Sequence, residues 1–282
     1  MRFSLITFSS AALIGLLTHS ALAAPVSSLV LTPGGYHASN KVHPVPTGGR
    51  VSHVGSDIHV LDTSDNLVYI ATPTTTVATP EQTGSVTDAH WLNTGSIPIY
   101  FFLNTWNVPP VPATWHGQTI FLFNAIALST FEASLQTVLQ YGGSAAGGGE
   151  YWAVATWYLY GSEAFYTTPV EVTPGQSLAT SIELIEVNGT VYDYLAAFDV
   201  AGTELGVNGG EQLTLTTKTL ESYGVTEASD YPTGETEFSI NILLYNNDFA
   251  PVSWSVVDDP ADGLSTTVNT NSGDGGVITI TY

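Results

Sequence analysis

Beyond residue 84 the chain alternates apolar and polar positions in short runs and changes phase at turn residues. The runs are Ile97 to Leu103, Gln118 to Ala127, Leu135 to Tyr141, Tyr151 to Leu159, Val170 to Val172, Leu178 to Val187, Thr190 to Asp199, Glu211 to Leu220, Glu237 to Tyr245, Val252 to Val257 and Val277 to Tyr282. Period-two alternation over such lengths predicts strands. The one stretch of helix formers, Phe131-Glu132-Ala133-Ser134, spans a single turn with no 3.6-residue period around it, so no helix is predicted. Many strands and no helix predict an all-β fold, two sheets packed as a sandwich or jelly roll over residues 85–282.

The chain ahead of this domain reads differently. Met1 and Arg2 precede an apolar run through Leu17, and Ala21-Leu22-Ala23 fits a signal-peptidase site, so residues 1–23 read as a signal peptide and the protein as secreted and extracellular. Val51 to Val54, Asp57 to Asp62 and Asn66 to Ile70 alternate like short strands around a Ser64-Asp65-Asn66 turn. The run from Ala71 to Pro80, with Pro73 and Pro80 around Thr74, Thr75 and Thr76, favours an extended linker. Residues 24–84 therefore read either as a pro-region or as an N-terminal β-hairpin followed by a Thr/Pro linker.

Charge sharpens that choice. Asp and Glu number 25 against four Lys and Arg, for a net charge of −21, and beyond residue 84 the only Lys or Arg is Lys218. Near about pH 3 most carboxylates protonate, and a domain almost without cations approaches neutrality instead of repelling itself. This composition suits an acidic medium. Lys41, Arg50, His37, His43, His53 and His59 all fall in the leading segment. Held by charge, such a segment would meet carboxylates of the body through Lys41 and Arg50 at neutral pH and release in acid. Acidity also makes nucleic acid an unfavourable partner. No later stretch is long and apolar enough for a membrane span, and a monomer is expected. Cys is absent, which excludes thiol catalysis and thiolate metal sites and leaves stability to a hydrophobic core. The histidine spacing fits no zinc-ligand pattern, and no metal or cofactor is expected. Asn188-Gly189-Thr190 is a glycosylation sequon on a turn-forming Asn-Gly pair, marking Asn188.

Two segments could carry chemistry. In Leu135 to Gly142, alternation places Gln136, Val138 and Gln140 on one strand face, and an amide there can donate to an oxyanion without titrating in acid. In Thr236 to Asn241, Glu237, Ser239 and Asn241 share a face opposite Phe238 and Ile240, and a strand carboxylate in a dry cleft can serve as general acid or base. Each pattern is equally that of a polar strand face.

Taken together these segments resemble the secreted fungal glutamic endopeptidases, the eqolisins. Trp106-Asn107-Val108-Pro109 is similar to that family's entry strand, Ser134-Leu135-Gln136-Thr137 to its Leu-Gln-Thr strand, and Glu150-Tyr151-Trp152-Ala153 through Trp157-Tyr158 to its aromatic strand. Val172 to Gln176 resembles the following turn, Thr236-Glu237-Phe238 the glutamate strand, and Pro251 to Trp254 the next apolar strand. The resemblance implies a lectin-like (concanavalin A-like) double-sheet sandwich. It implies an acid-acting endopeptidase in which Glu237 activates water as general base and protonates the leaving amine, while Gln136 orients that water and stabilises the oxyanion. Trp152, Trp157 and Tyr158 would line the groove for a polypeptide substrate, without a cofactor. Where the family carries further carboxylates, this chain has Ala125, Thr156 and Asn241.

The competing reading is a carbohydrate-binding or polysaccharide-degrading protein on the same sandwich, with glycan as partner and Gln140, Tyr158, His90 or His116 as polar or acid–base groups. A structural surface protein is a third. The first two separate on whether Gln136 and Glu237 face each other across one cleft: if they diverge, a peptidase acting through that pair fails and a lectin-like role gains.

Overall fold

The computed structural model describes residues 28–74, 84–258 and 263–282. The signal segment and residues 75–80 of the Thr/Pro run lie outside the described residues. In chain order the strands are β1 (Leu29–Thr32), β2 (Gly35–Ala38), β3 (Val42–Pro44), β4 (Arg50–Val54), β5 (Asp57–Leu61), β6 (Leu67–Ala71) and β7 (Ser85–Leu92). There follow β8 (Ile99–Asn107), β9 (Thr119–Ala127), β10 (Ala133–Ser144), β11 (Gly147–Tyr160), β12 (Glu163–Tyr166), β13 (Val170–Glu171) and β14 (Ser177–Asn188). The last are β15 (Val191–Phe198), β16 (Leu205–Gly210), β17 (Leu215–Tyr223), β18 (Glu235–Leu244), β19 (Ser255–Asp258), β20 (Ser265–Thr270) and β21 (Gly276–Thr281). Among the described residues the only helical pieces are the 3₁₀ turns Ser39–Lys41 and Ala228–Asp230. At Phe131 the chain turns back with φ 58 where the helix formers sit.

A nine-stranded sheet runs β19-β7-β17-β9-β10-β11-β12-β3, with β13 beside β11, and a ten-stranded sheet runs β20-β21-β18-β8-β14-β15-β16-β4-β5-β6. They pack face to face as a β-sandwich. The pleat decides which residues meet between them: Leu122, Ile126, Leu135, Leu139, Trp152, Val154 and Tyr158 from one sheet join Phe102, Trp106, Ile182, Leu184, Phe238 and Ile240 from the other in one buried cluster. Each fully buried side chain of this size contributes about 1.5–3 kcal/mol. A second, separate cluster lies on the outer face of the nine-stranded sheet, where Phe121, Phe123, Ala125, Val138, Ala155 and Trp157 are also buried.

The leading segment is built into both sheets. Its β3 adds parallel to β12 and its β4 parallel to β16, while β4, β5 and β6 extend the ten-stranded sheet. The turn at Asp65 (φ 65) is closed by Asp62, whose carboxylate accepts the N–H groups of Ser64 and Asn66. β1 and β2 form a separate hairpin through Gly34 and Gly35, both at positive φ. Of the two cations expected to hold this segment to the body, only Lys41 does so. It pairs with the buried carboxylate of Glu163, which His43 Nε2 also contacts at 2.7 Å. Arg50 instead pairs at 2.5 Å with Asp65 of its own segment, because the β4–β6 meander brings that turn beside it.

Candidate active site

Strand alternation sends Gln136, Val138 and Gln140 of β10 to the outer face of the nine-stranded sheet, away from the inter-sheet core that takes Leu135 and Leu139. Register then fixes their neighbours in rows across the sheet. One row reads His90, Thr217, Ala125, Gln136, Trp157 and Tyr166; four residues along, another reads Glu221, Phe121, Gln140 and Ala153. Adjacent strands are about 4.8 Å apart, so Glu221 and Gln140 stand about 10 Å apart at the backbone with Phe121 between them. Gln136 donates to Ser134 Oγ at 3.1 Å, and Gln140 donates to the carbonyls of Gly142 and Gly147 at 2.6 and 2.9 Å. Their carbonyl oxygens, and the indole N–H of Trp157, are buried without a partner among the described residues. The tight β10–β11 end over Gln140 depends on Gly148 (φ +107), where a Cβ would stand 2.4 Å from Gln140 Nε2.

Glu221 is the buried carboxylate of this face, where Asp88 is partly exposed beside His90. Burial pushes its pKa up to about 7, against hydrogen bonds from the Gly34 N–H at 2.8 Å and the Tyr223 hydroxyl at 3.3 Å that pull the other way. The Gly34 contact comes from the β1–β2 hairpin, which lies on this face. Leu31 packs on the outer cluster, its carbonyl accepts the Ala145 N–H at 2.7 Å, and Tyr36 meets Tyr223 edge-on at 5.8 Å. The face is thus occupied by an extended piece of the protein's own chain.

Gln136 and Glu237 are not brought together. Glu237 lies on β18 in the ten-stranded sheet, where Phe238 and Ile240 point into the sandwich and Glu237 points out to solvent. The two side chains therefore leave opposite outer surfaces, with both sheets between them, and cannot act on one bond. Of the three aromatic groove candidates, Trp157 is the direct cross-strand neighbour of Gln136, whereas Trp152 and Tyr158 face the inter-sheet core. The period of two that puts Trp157 outside puts both of them inside, and Tyr158 hydrogen-bonds His53 there at 2.8 Å. Ala125 stands beside Gln136 on the outer face; Thr156 is buried and donates to the Thr203 carbonyl; Asn241 accepts the Gly275 N–H. Sequence reasoning missed Glu221 because nothing local marks it. Its signal was in register with Gln140, visible only once β17 and β10 are known to flank β9.

His90 lies in the row of Gln136, with Nδ1 2.6 Å from Asp88 Oδ1. His116 sits apart, in a loop with Glu227 and Asp230, the one group of potential metal ligands among the described residues. Both Asp230 oxygens are already taken by Thr114, Thr226, His116 and the Glu227 N–H. Burial raises the Asp230 pKa, but those hydrogen bonds outweigh it and hold the group below the usual carboxylate range. The cluster clamps a loop and leaves no lone pair for a metal. Asn188 is exposed at the β14–β15 turn, with Gly189 at φ +66.

No protein-family model matches the sequence, and no curated protein does. Among solved structures the neighbours include glutamic peptidases. Scytalido-glutamic peptidase with a peptide-based transition state analog is 15% identical at a TM-score of 0.48, over 71% of this chain and 100% of that one. SCP-B, a member of the eqolisin family of peptidases in complex with the tripeptide Ala-Ile-His, is 12% identical at 0.40 over the same shares. A 1,3-alpha-1,4-beta-D-galactose-4-sulfate-3,6-anhydro-D-galactose 4 galactohydrolase is similar at 8% identity and a TM-score of 0.26, over 93% of this chain and 98% of that one. These are likenesses of architecture, and the site stands on its own residues.

Proposed function

We propose that the protein is a secreted, acid-acting endopeptidase kept latent by its own N-terminal segment, with Glu221 in the acid–base role and the unpartnered carbonyl oxygen of Gln140, two strands away in the same row, orienting the water. The observation that carries this reading is the β1–β2 hairpin lying extended over Glu221: the face already accommodates polypeptide. A carboxyl group with a pKa near 7 is protonated in acid, so it would begin as a proton donor to the scissile carbonyl or leaving amine. Once the hairpin leaves, water reaches the carboxyl, its pKa falls, and its anion can take a proton from water. Neutral amides keep their hydrogen-bonding roles at every pH the enzyme meets. Residues 24–84 act as the pro-region in this account.

One feature of the same face favours a glycan partner instead. His90 stands in the row of Gln136 and its partner Asp88 one row along on the same face, while Ala125 and Thr217 leave the row of Gln136 without a carboxylate. A His–Gln row beside Trp157 suits binding or cleavage of a polysaccharide. Hydrolysis of an unfolded protein from pH 2 to 7, with an aspartic-protease inhibitor present, separates the two. We expect cleavage in acid, reduced at least tenfold by Gln140→Ala. Absence of cleavage by folded, acid-treated protein, together with retention on a glycan array that His90→Ala abolishes, would establish the second reading.

A further inference from the structure

The interior of the sandwich holds a chemistry that the outer face does not use. Lys218 of β17 is fully buried between the sheets, and its amine has no hydrogen-bond partner among the described residues. It stands 4.7, 5.3 and 5.2 Å from the ring centroids of Phe238, Phe102 and Trp106, all from the opposite sheet. Phe102 and Trp106 are inward-facing residues of β8, and the inward-facing residue between them is Asn104. Asn104 is itself fully buried, with both side-chain atoms unpartnered among the described residues. An amine and a carboxamide, each lacking a partner, thus converge on one dry spot.

Three rings could attract an ammonium ion, each only modestly. Removing an ammonium from water without a counter-ion costs more than that attraction returns, and burial drives the Lys218 pKa well down, which favours the neutral, nucleophilic amine. For the only Lys or Arg beyond residue 84 to sit there is costly unless it does something. Asn124, on the strand beside Lys218, offers an unpartnered buried Nδ2, while its Oδ1 accepts the Thr180 hydroxyl.

We propose that Lys218 and Asn104 are joined by an intramolecular isopeptide bond that ties the two sheets together. Lys218 Nζ attacks Asn104 Cγ, and the Asn124 amide N–H steadies the oxyanion. One of the amine's two protons passes to the Asn104 nitrogen and the other stays on the new amide, the bond from Cγ to Nδ2 breaks, and ammonia leaves. One C–N bond forms and one breaks, with no oxidant or co-reactant. In a chain without cysteine the cross-link does for the sandwich what an inter-sheet disulfide does elsewhere. Asn104 is the partner because neither of its side-chain atoms is engaged, whereas Asn124 already holds Thr180.

The test is a peptide map of the secreted protein, digested with pepsin after denaturation and read by tandem mass spectrometry. The expected result is a branched peptide joining the segments around Asn104 and Lys218, lighter than their sum by one ammonia, and absent from Lys218→Met and Asn104→Ala. The native protein decides even if both variants fail to fold. Recovery of linear peptides with an unmodified Lys218 would overturn the proposal, and a branch through Asn124 would overturn the assignment of Asn104.

Discussion

Glu221 and Glu163 are both buried carboxylates of the nine-stranded sheet, and they respond to acid in opposite senses. Glu221 has its folded-state pKa raised to about 7, so below the ordinary carboxylate range it costs the fold nothing, and stability falls as pH rises from about 4.5 to 7. The full effect is on the order of 3 kcal/mol. Thermal unfolding of Glu221→Gln should remove that slope, and parallel slopes in wild type and variant would rule out the assigned ionisation. Glu163 is the reverse. Burial pushes its pKa up, but hydrogen bonds from His43 and Lys41 win and hold it below the usual range. Its contribution is present at neutral pH and lost as pH falls through that depressed value.

At the scale of elements, these two residues belong to the same question, namely what keeps the leading segment in place. Glu163 fastens β3 through Lys41 and His43, while Glu221 receives the β1–β2 hairpin through Gly34. Acid opens the first contact and spares the cost of burying the second as an anion, so release begins at β3. Limited proteolysis at neutral pH should cut Glu163→Gln in the leading segment several-fold faster than wild type, with the difference shrinking as pH falls through the depressed pKa of Glu163; equal rates at neutral pH would show that the pair is not the fastening. Strand alternation was legible where runs are long: β9, β10, β14 and β18 fall where the pattern put them, and the faces of Gln136 and Glu237 were read correctly. Pairing was not legible, because register between strands distant in sequence leaves no local mark. The same blindness put Glu237 in place of Glu221, and hid β12 and β16, whose partners β3 and β4 lie over a hundred residues away.

For the whole molecule, the scarcity of cations and the two-sheet core serve one condition. A body with Lys218 as its sole Lys or Arg, itself buried, gains little positive charge in acid. Light scattering and far-UV circular dichroism should report a compact β fold at about pH 3; expansion there would contradict this account of the charge. The outer face of the nine-stranded sheet is where activity is placed, and the ten-stranded sheet's outer face, with Glu237, is left as solvated surface. The direct measurement is the rate of hydrolysis of an unfolded protein at acid pH by wild type, Glu221→Gln and Glu237→Gln. The account predicts loss of activity in Glu221→Gln and wild-type activity in Glu237→Gln. Activity that survives Glu221→Gln, or that Glu237→Gln abolishes, would contradict it.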